Sequence, residues 1–339
     1  MKELLITMFN LQLFANMNTQ TTTSYWTDSD GARHDLSGEM KTYYSDRLID
    51  LVEAELVHDQ FAQKHPIPKN GGKTIEFRKW DVLPEMTEAL TEGVTPDGQS
   101  LSMSTITADV EQYGGYVTIS DMLDLTAIDP VLVQGTKAIA SQAGRSLDTI
   151  TRDVLNGGTN VQFAAGEVSA RSQLSYTDAG TNHNLSVAAI KKAVRFLEGN
   201  DAPKINGYYV GIIHPYCKYD LMNDPEWKNP HEYKDTTNIY NGEIGELYGV
   251  RFVQSTRAMK WAGAGANGAD VYSTLILADD AYGVTEIEGG GLEHIVKQRG
   301  SAGTADPLNQ RATCGWKATK VAERLVEEYI IRIETTATP

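Results

Sequence analysis

Cysteine is nearly absent from this chain: two residues in 339, Cys217 and Cys314, stand far apart and form no Cys-x-x-Cys pair. That spacing argues against a disulfide framework and a zinc ribbon, and fits a reducing compartment. Also missing is any apolar run near the roughly 20 residues of a membrane span. Concentrated positive charge is lacking too. The 30 Lys and Arg face 45 Asp and Glu, giving a formal net charge of −15. A protein that grips nucleic acid through its phosphates carries a basic footprint instead. If this chain encloses DNA, it does so as an acidic wall. Acidity also keeps an abundant protein soluble. Aromatic residues make up 8% of the sequence and are not interleaved with basic clusters, which argues against a stacking platform for single strands.

Catalytic motifs are equally scarce. There is no His-Glu-x-x-His, no Gly-x-Ser-x-Gly elbow and no Walker loop. The seven histidines are scattered; His58 is expected at a surface or interface, and His214, before Pro215, at a strand end. Gly263-Ala264-Gly265-Ala266-Asn267-Gly268 matches Gly-x-Gly-x-x-Gly in form. That motif needs a helix N-terminus after it, aimed at a pyrophosphate. Residues 269–278 read as a strand, so a flexible glycine loop is predicted. Carboxylates abound, yet nothing singles out an acid–base pair. The expectation is no catalytic, metal or cofactor site.

What remains is an ordinary globular composition, 41% hydrophobic and 22% charged, long enough for one large or two medium cores. The N-terminus, MKELLITMFNLQLFANMN, mimics a secretion signal. Thr7, Asn10 and Gln12 break its apolar segment, and Phe14-Ala15-Asn16 lacks the cleavage spacing. An extended arm is predicted there, followed by polar, aperiodic sequence to Gly38. Ser37 is expected to cap a helix reaching about Lys64, with Tyr44, Leu48, Leu51 and Leu56 as its apolar stripe and Pro66 and Pro68 ending it.

Lys73–Trp80 alternates as a strand, and residues 101–110 and 116–120 supply return strands. A long acidic connection lies between, with Glu85, Glu88, Glu92 and Asp97 turned by Thr95-Pro96-Asp97-Gly98. Gly114-Gly115 would permit a bulge or bend. A two-stranded ribbon cannot bury a core of its own. It must lie on something else, either its own sheet or another subunit.

Asp129-Pro130 reads as a helix start, cap then first turn. The helix runs to Asn156, where Gly157-Gly158 stops it, and Ile139, Ala143, Leu147, Ile150 and Val154 form its apolar face. Asp148 and Arg152 are expected to pair on its outer side. Further on come a helix over 185–198 with Val187, Ile190, Val194 and Leu197 inward, a strand over 208–214, and a helix from Pro215. Strands are predicted at 250–254, 274–278 and 292–297, with a closing strand, Glu-rich turn and strand over 316–334. Strands interspersed with helices give an α+β class.

Several stretches carry more than periodicity. NGEIGELYGVRFVQS at Asn241–Ser255 reads as a short amphipathic turn of helix closed by Gly249, then a strand. Asp306-Pro307-Leu308-Asn309-Gln310-Arg311 is followed by Gly315-Trp316-Lys317-Ala318. FNLQLFA spans Phe9–Ala15, and GRSLDTITRDVLNGGTNV begins at Gly144. Together they resemble the major capsid proteins of tailed double-stranded DNA bacteriophages, closest to the N-four-like branch of the Hong Kong-ninety-seven-like fold. The FNLQLFA match also points to Met8 as the natural start.

The resemblance implies an N-terminal arm (1–38), an N-terminal helix (39–69), an extended loop (70–120), a peripheral domain (121–185 and 306–339, with a spine helix over 130–156) and an axial domain (186–305). It implies a shell subunit forming hexamers and pentamers around double-stranded DNA, in a virion assembled in the host bacterial cytoplasm. A portal protein and separate scaffolding or decoration proteins are the further partners. The segment before the first helix is too short for a large built-in scaffolding domain. Expected contacts between subunits are Phe9, Leu11, Leu13 and Phe14 on the arm; Phe77, Arg78, Trp80, Glu85, Glu88 and Glu92 on the ribbon; and Tyr113 and Tyr116 beyond it. Two rivals share the composition: an encapsulin-like nanocompartment shell, which would carry cargo enzymes, and an acidic soluble enzyme with a deep pocket.

Overall fold

The computed structural model describes residues 57–81, 83–95, 97–126, 131–164, 168–176, 182–227, 243–301 and 306–338, together with the two-residue strand β1 (Thr19–Gln20). The arm contacts Phe9 to Phe14, the helix predicted from Ser37 up to residue 56, and the Asp129-Pro130 cap lie outside them. Helices and strands are mixed in α+β order. After β2 (Gln63–Lys64) come β3 (Thr74–Trp80), β4 (Met103–Asp109) and β5 (Glu111–Ser120). Next are α1 (Asp121–Thr126), the long α2 (Val131–Asn156), β6 (Val161–Phe163), α3 (Val187–Gly199), β7 (Tyr209–Ile213) and α4 (Pro215–Asn223). The remainder is strand: β8 (Glu243–Leu247), β9 (Val250–Gln254), β10 (Lys260–Trp261), β11 (Val271–Leu277), β12 (Tyr282–Thr285), β13 (Glu293–Lys297), β14 (Arg311–Arg324) and β15 (Ile330–Thr335). These form two compact units, one of residues 1–57, 112–148 and 290–319, the other of 58–111, 149–289 and 320–339.

The larger unit is built on a sheet in the order β6-β15-β11-β7-β9-β8. Its middle strand β7, YVGII, is buried at every position. Strands covered on both faces read as continuous apolar runs, and this one does. Helix α3 lies on the sheet. Ser186 caps it by accepting from the Ala189 amide, and Val187, Ile190, Val194 and Leu197 all face the core, as their spacing predicts. His214, predicted to close a strand, also caps α4, its Nδ1 accepting from the Tyr216 amide at 3.2 Å. Gly211 sits opposite Phe252 in the parallel β7–β9 register, and a Cβ there would lie 2.6 Å from the Phe252 ring. Gly211→Ala therefore overpacks the core. A loss of about 1–3 kcal/mol in urea unfolding is expected.

Residues 243–249 correct the sequence reading. In place of a helical turn, β8 and β9 form a hairpin in which Leu247 pairs with Val250. Tyr248 and Gly249 both have positive φ, 50° and 76°, as a two-residue type I′ turn requires. Gly249 was legible as a stop, but the stop belongs to a strand.

Four more expectations are overturned. His58 is buried, and its carbonyl accepts from the Tyr282 hydroxyl. Asp148 is wholly buried, accepting from the Val57 amide at 3.0 Å, while Arg152 pairs with Asp153 at 2.7 Å. The buried row on α2 runs Ile139, Ala143, Leu147, Thr151, Leu155. Steps of four along the whole helix carry that face past Ile150 and Val154, which are half-buried. Finally, β5 passes Gly114-Gly115 as an unbroken strand. These glycines serve close approach: a Cβ on Gly114 would lie 2.8 Å from the Trp316 carbonyl oxygen, and one on Gly115 2.8 Å from Gln142 Oε1.

The C-terminal end of α2 shows how the larger unit is tied together. A helix end leaves carbonyls without partners. Arg324 donates to the Val154 carbonyl at 2.7 Å, and Arg332 donates to that of Asn156. Both guanidinium groups also suit the negative end of the helix dipole. Glu327 then accepts from the Thr159 amide and, at 3.0 Å, from its hydroxyl, and pairs with Arg324 at 2.9 Å. Burial alone would raise the Glu327 carboxyl, but the Thr159 and Arg324 interactions together hold it below the usual 4.5. A carboxylate with a depressed folded value contributes stability above its unfolded value, and that stability is lost as pH falls through the folded one. The urea midpoint of the native protein is thus expected to drop more steeply below about pH 4.5 than that of Glu327→Gln. Parallel urea titrations across the acid range check this.

Candidate assembly surfaces

Strands β3 and β4 pair only with each other, in antiparallel register from Thr74↔Asp109 to Trp80↔Met103. At about 3.3 Å per residue the ribbon is some 23 Å long. Its base is seated on its own unit. Ala108 is buried, Ile75 and Phe77 are half-buried, and a Cβ on Gly283 would come within 3.0 Å of the Phe77 ring. Towards the far end cover disappears. Trp80, Met86, Leu90, Val94 and Leu101 are each at least 60% exposed, and Leu83 and Met103 more than 40%. Single exposed apolar residues are normal; a run of seven on one limb makes it a candidate contact surface. Between them stand the exposed carboxylates Glu85, Glu88 and Glu92.

A second surface lies in the smaller unit. There β14 is flanked by β5 and β13, with Glu293↔Lys317 and Ile295↔Gly315 in register. A cavity of about 650 Å³ opens on these strands, lined by Gly114, Tyr116, Ile295, Lys297, Gly315 and Lys317. The entry to β14 is fixed by the 306–311 stretch. Asp306 starts a turn closed by the Asn309 amide (3.1 Å), with Asn309 at φ 53°, and its carboxylate accepts from the Arg311 amide at 2.9 Å. Leu308 at the turn tip is 75% exposed. On α4, Tyr216, Tyr219 and Met222 form a third exposed apolar row.

Among the described residues, Cys314 lies beside His294, Sγ to Nε2 3.2 Å, with Thr136 Oγ1 3.5 Å away. Burial raises the thiol and lowers the imidazole, so both stay neutral where catalysis needs thiolate and imidazolium. Cys217 is driven further, to about 12, again by burial. Among the described residues no group of three or more His, Cys, Asp or Glu is placed to hold a metal ion. No described helix is long and apolar enough to cross a membrane. The 263–268 glycines form a loop between β10 and β11. Gly263 and Gly268 adopt positive φ, and the Gly263 amide donates to Asp270 at 2.8 Å.

The predicted contact residues divide by position. Arg78, Trp80, Glu85, Glu88, Glu92 and Tyr116 are exposed. Phe77 and Tyr113 are half-buried within their own chain. Trp227 and Trp316 are buried, and Trp261 lies beneath Arg171, whose guanidinium carbon is 3.6 Å from the ring centroid. The sequence reading missed Leu83, Met86, Leu90, Val94 and Leu101. They stood in plain view as large apolar residues inside an acidic loop, and the acidic ones drew the attention.

The geometry defines an α+β chain carrying an exposed two-stranded ribbon, and comparison with known proteins supplies its class. Residues 104–318, more than half of the chain, match the family described as phage capsid protein, and the chain belongs to that family. The capsid of Ralstonia phage GP4 is similar in structure, with a TM-score of 0.60 and 13% identity over 94% of this chain and 96% of that one. The Cyanophage Pam1 capsid asymmetric unit gives 0.61 and 14% over 94% and 98%. For Mycobacterium phage Che8 the values are 0.54 and 13% over 82% and 90%. At such identities the likeness speaks for the fold alone, that of phage capsid subunits. No curated protein matches the sequence. Family membership gives the chain a structural role in a virion, as a major capsid protein that assembles into an oligomeric shell.

Proposed function

We propose that this subunit closes into an icosahedral shell of hexamers and pentamers around the double-stranded DNA of a tailed phage, and that it performs no catalysis. The observation that carries this reading is the far end of the ribbon, where apolar side chains are exposed among the described residues. A limb of this kind is stabilised only when another surface covers it, and in a homo-oligomer that surface belongs to a sister copy. Domain boundaries follow the arm, helix, ribbon, peripheral and axial pattern set out from the sequence. Contacts repeated around closed rings, each weak alone, permit errors to be corrected before closure. Each copy buries on the order of 2,000 Å² or more, in the range of permanent assemblies. The charge of −15 suits an inner wall that repels the packed genome and holds it free of sequence-specific contact. A portal at one vertex, and separate scaffolding or decoration proteins, complete the particle, which assembles in the host cytoplasm.

Sedimentation velocity at rising protein concentration tests the reading. Capsomer-sized species and then closed particles or tubes are expected above a threshold concentration. A monodisperse monomer or dimer throughout, under conditions that also include scaffold and crowding agents, would overturn it.

A further inference from the structure

We propose that residues 84–92, at the tip of the ribbon, are a conditional helix: coil in the free subunit, and one amphipathic helix when docked on a second copy. The inference rests on the shell reading and adds to it the form in which the limb binds. The segment is without helix in the subunit. Yet its sequence, Pro84-Glu85-Met86-Thr87-Glu88-Ala89-Leu90-Thr91-Glu92-Gly93, is written as one. Proline suits the first helical position, and Glu85 and Glu88 suit the positive end of the dipole. Gly93 already holds the left-handed conformation that ends helices, at φ 77°, within a turn closed by the Val94 amide on the Thr91 carbonyl at 3.1 Å.

The apolar spacing gives the second, independent observation. Leu83, Met86, Leu90 and Val94 follow steps of three, four and four. At 3.6 residues per turn Met86 and Leu90 lie about 40° apart within the helix, with Leu83 and Val94 flanking its two ends, and Glu85, Glu88 and Glu92 fall within about 60° on the opposite side. In the coil all of these apolar side chains point into solvent, Leu90 at 73% exposure. A strand would place Met86, Leu90 and Val94 on one face together with Glu88 and Glu92, burying charge with every apolar contact. Only a helix separates the two sets. Alone, a helix of this length, about 14 Å, is marginal in water, which accounts for the coil. The partner is therefore an apolar strip on a second copy, with basic groups along its margin to face the glutamates.

Two variants and one control separate helix from coil. Ala89→Pro removes a helical hydrogen bond without touching the apolar side. Thr87→Ala with Thr91→Ala raises helix propensity at two positions off the stripe. With folding of each subunit confirmed by thermal melting, Ala89→Pro is expected to raise the threshold concentration for assembly at least tenfold, and the Thr pair to lower it two- to fivefold. If Ala89→Pro assembles like the native protein while Leu90→Asp does not, the limb docks in another form and the conditional helix is wrong. If Leu90→Asp also assembles normally, ribbon docking itself fails, and the inference with it.

Discussion

Replacing Met86 and Leu90 together by aspartate should abolish shell assembly and leave the subunit folded. Both side chains are largely exposed in the single subunit, at 64% and 73%, so folding gains little from them. Fully covering such a side chain contributes roughly 1.5–3 kcal/mol. Aspartate forfeits that and adds the desolvation of a charge beside Glu85, Glu88 and Glu92. A loss of about 4 kcal/mol per limb corresponds to nearly a thousandfold in an association constant. The expected result is a melting temperature within about 2 °C of the native protein, since surface changes alter stability by only a few tenths of a kcal/mol. Electron micrographs of the variant should be free of closed particles at concentrations where native protein forms them. Equal substitutions at Tyr216 and Tyr219 on α4 provide a comparison at another exposed apolar row.

The second large effect lies in the body of the larger unit. Glu334 on β15 is 1% exposed on its side chain and holds two arginines. Arg171 donates to it through Nε and Nη2, both at 2.7 Å, and Arg332 Nε lies 2.9 Å from Oε1. Burial works hardest against the Arg332 charge, and the neighbouring carboxylate offsets it. Removing one partner of a buried ion pair leaves the other charge uncompensated, at a cost of about 3–5 kcal/mol. Glu334→Ala should lose that much, which is a large share of a stability of about 5–15 kcal/mol. Arg332 also donates to the Asn156 carbonyl, so a displaced guanidinium loosens the end of α2 as well. Urea unfolding of Glu334→Ala beside native protein checks the magnitude. An equal midpoint would mean that water reaches the two arginines and compensates them.

How much of this was legible in the sequence depends on how local each determinant is. The β3 alternation and the α3 stripe are local, and both were read correctly. The hairpin of β8 and β9 was not, because Tyr248 is an uncommon occupant of a positive-φ turn and hides the hairpin signal. Asp148 looked like an outer helix residue by spacing; its burial depends on the Val57 amide, 91 positions away in sequence. The arginines that close the end of α2 come from β14 and β15, and no feature within the helix announces them. For the assembly surfaces the acidic character of the loop was plain. Its apolar side chains matter only once the structure shows them exposed among the described residues. Family resemblance supplied the class of protein; exposure supplied the limb proposed to join the subunits.

The most direct measurement is a cryo-electron reconstruction of particles assembled from the purified chain. The account predicts that Trp80, Met86, Leu90 and Leu101, bare in one copy, are each shielded from water by atoms of the adjacent copy. It would be contradicted by closed particles in which these side chains remain in solvent or turn back against the subunit that carries them.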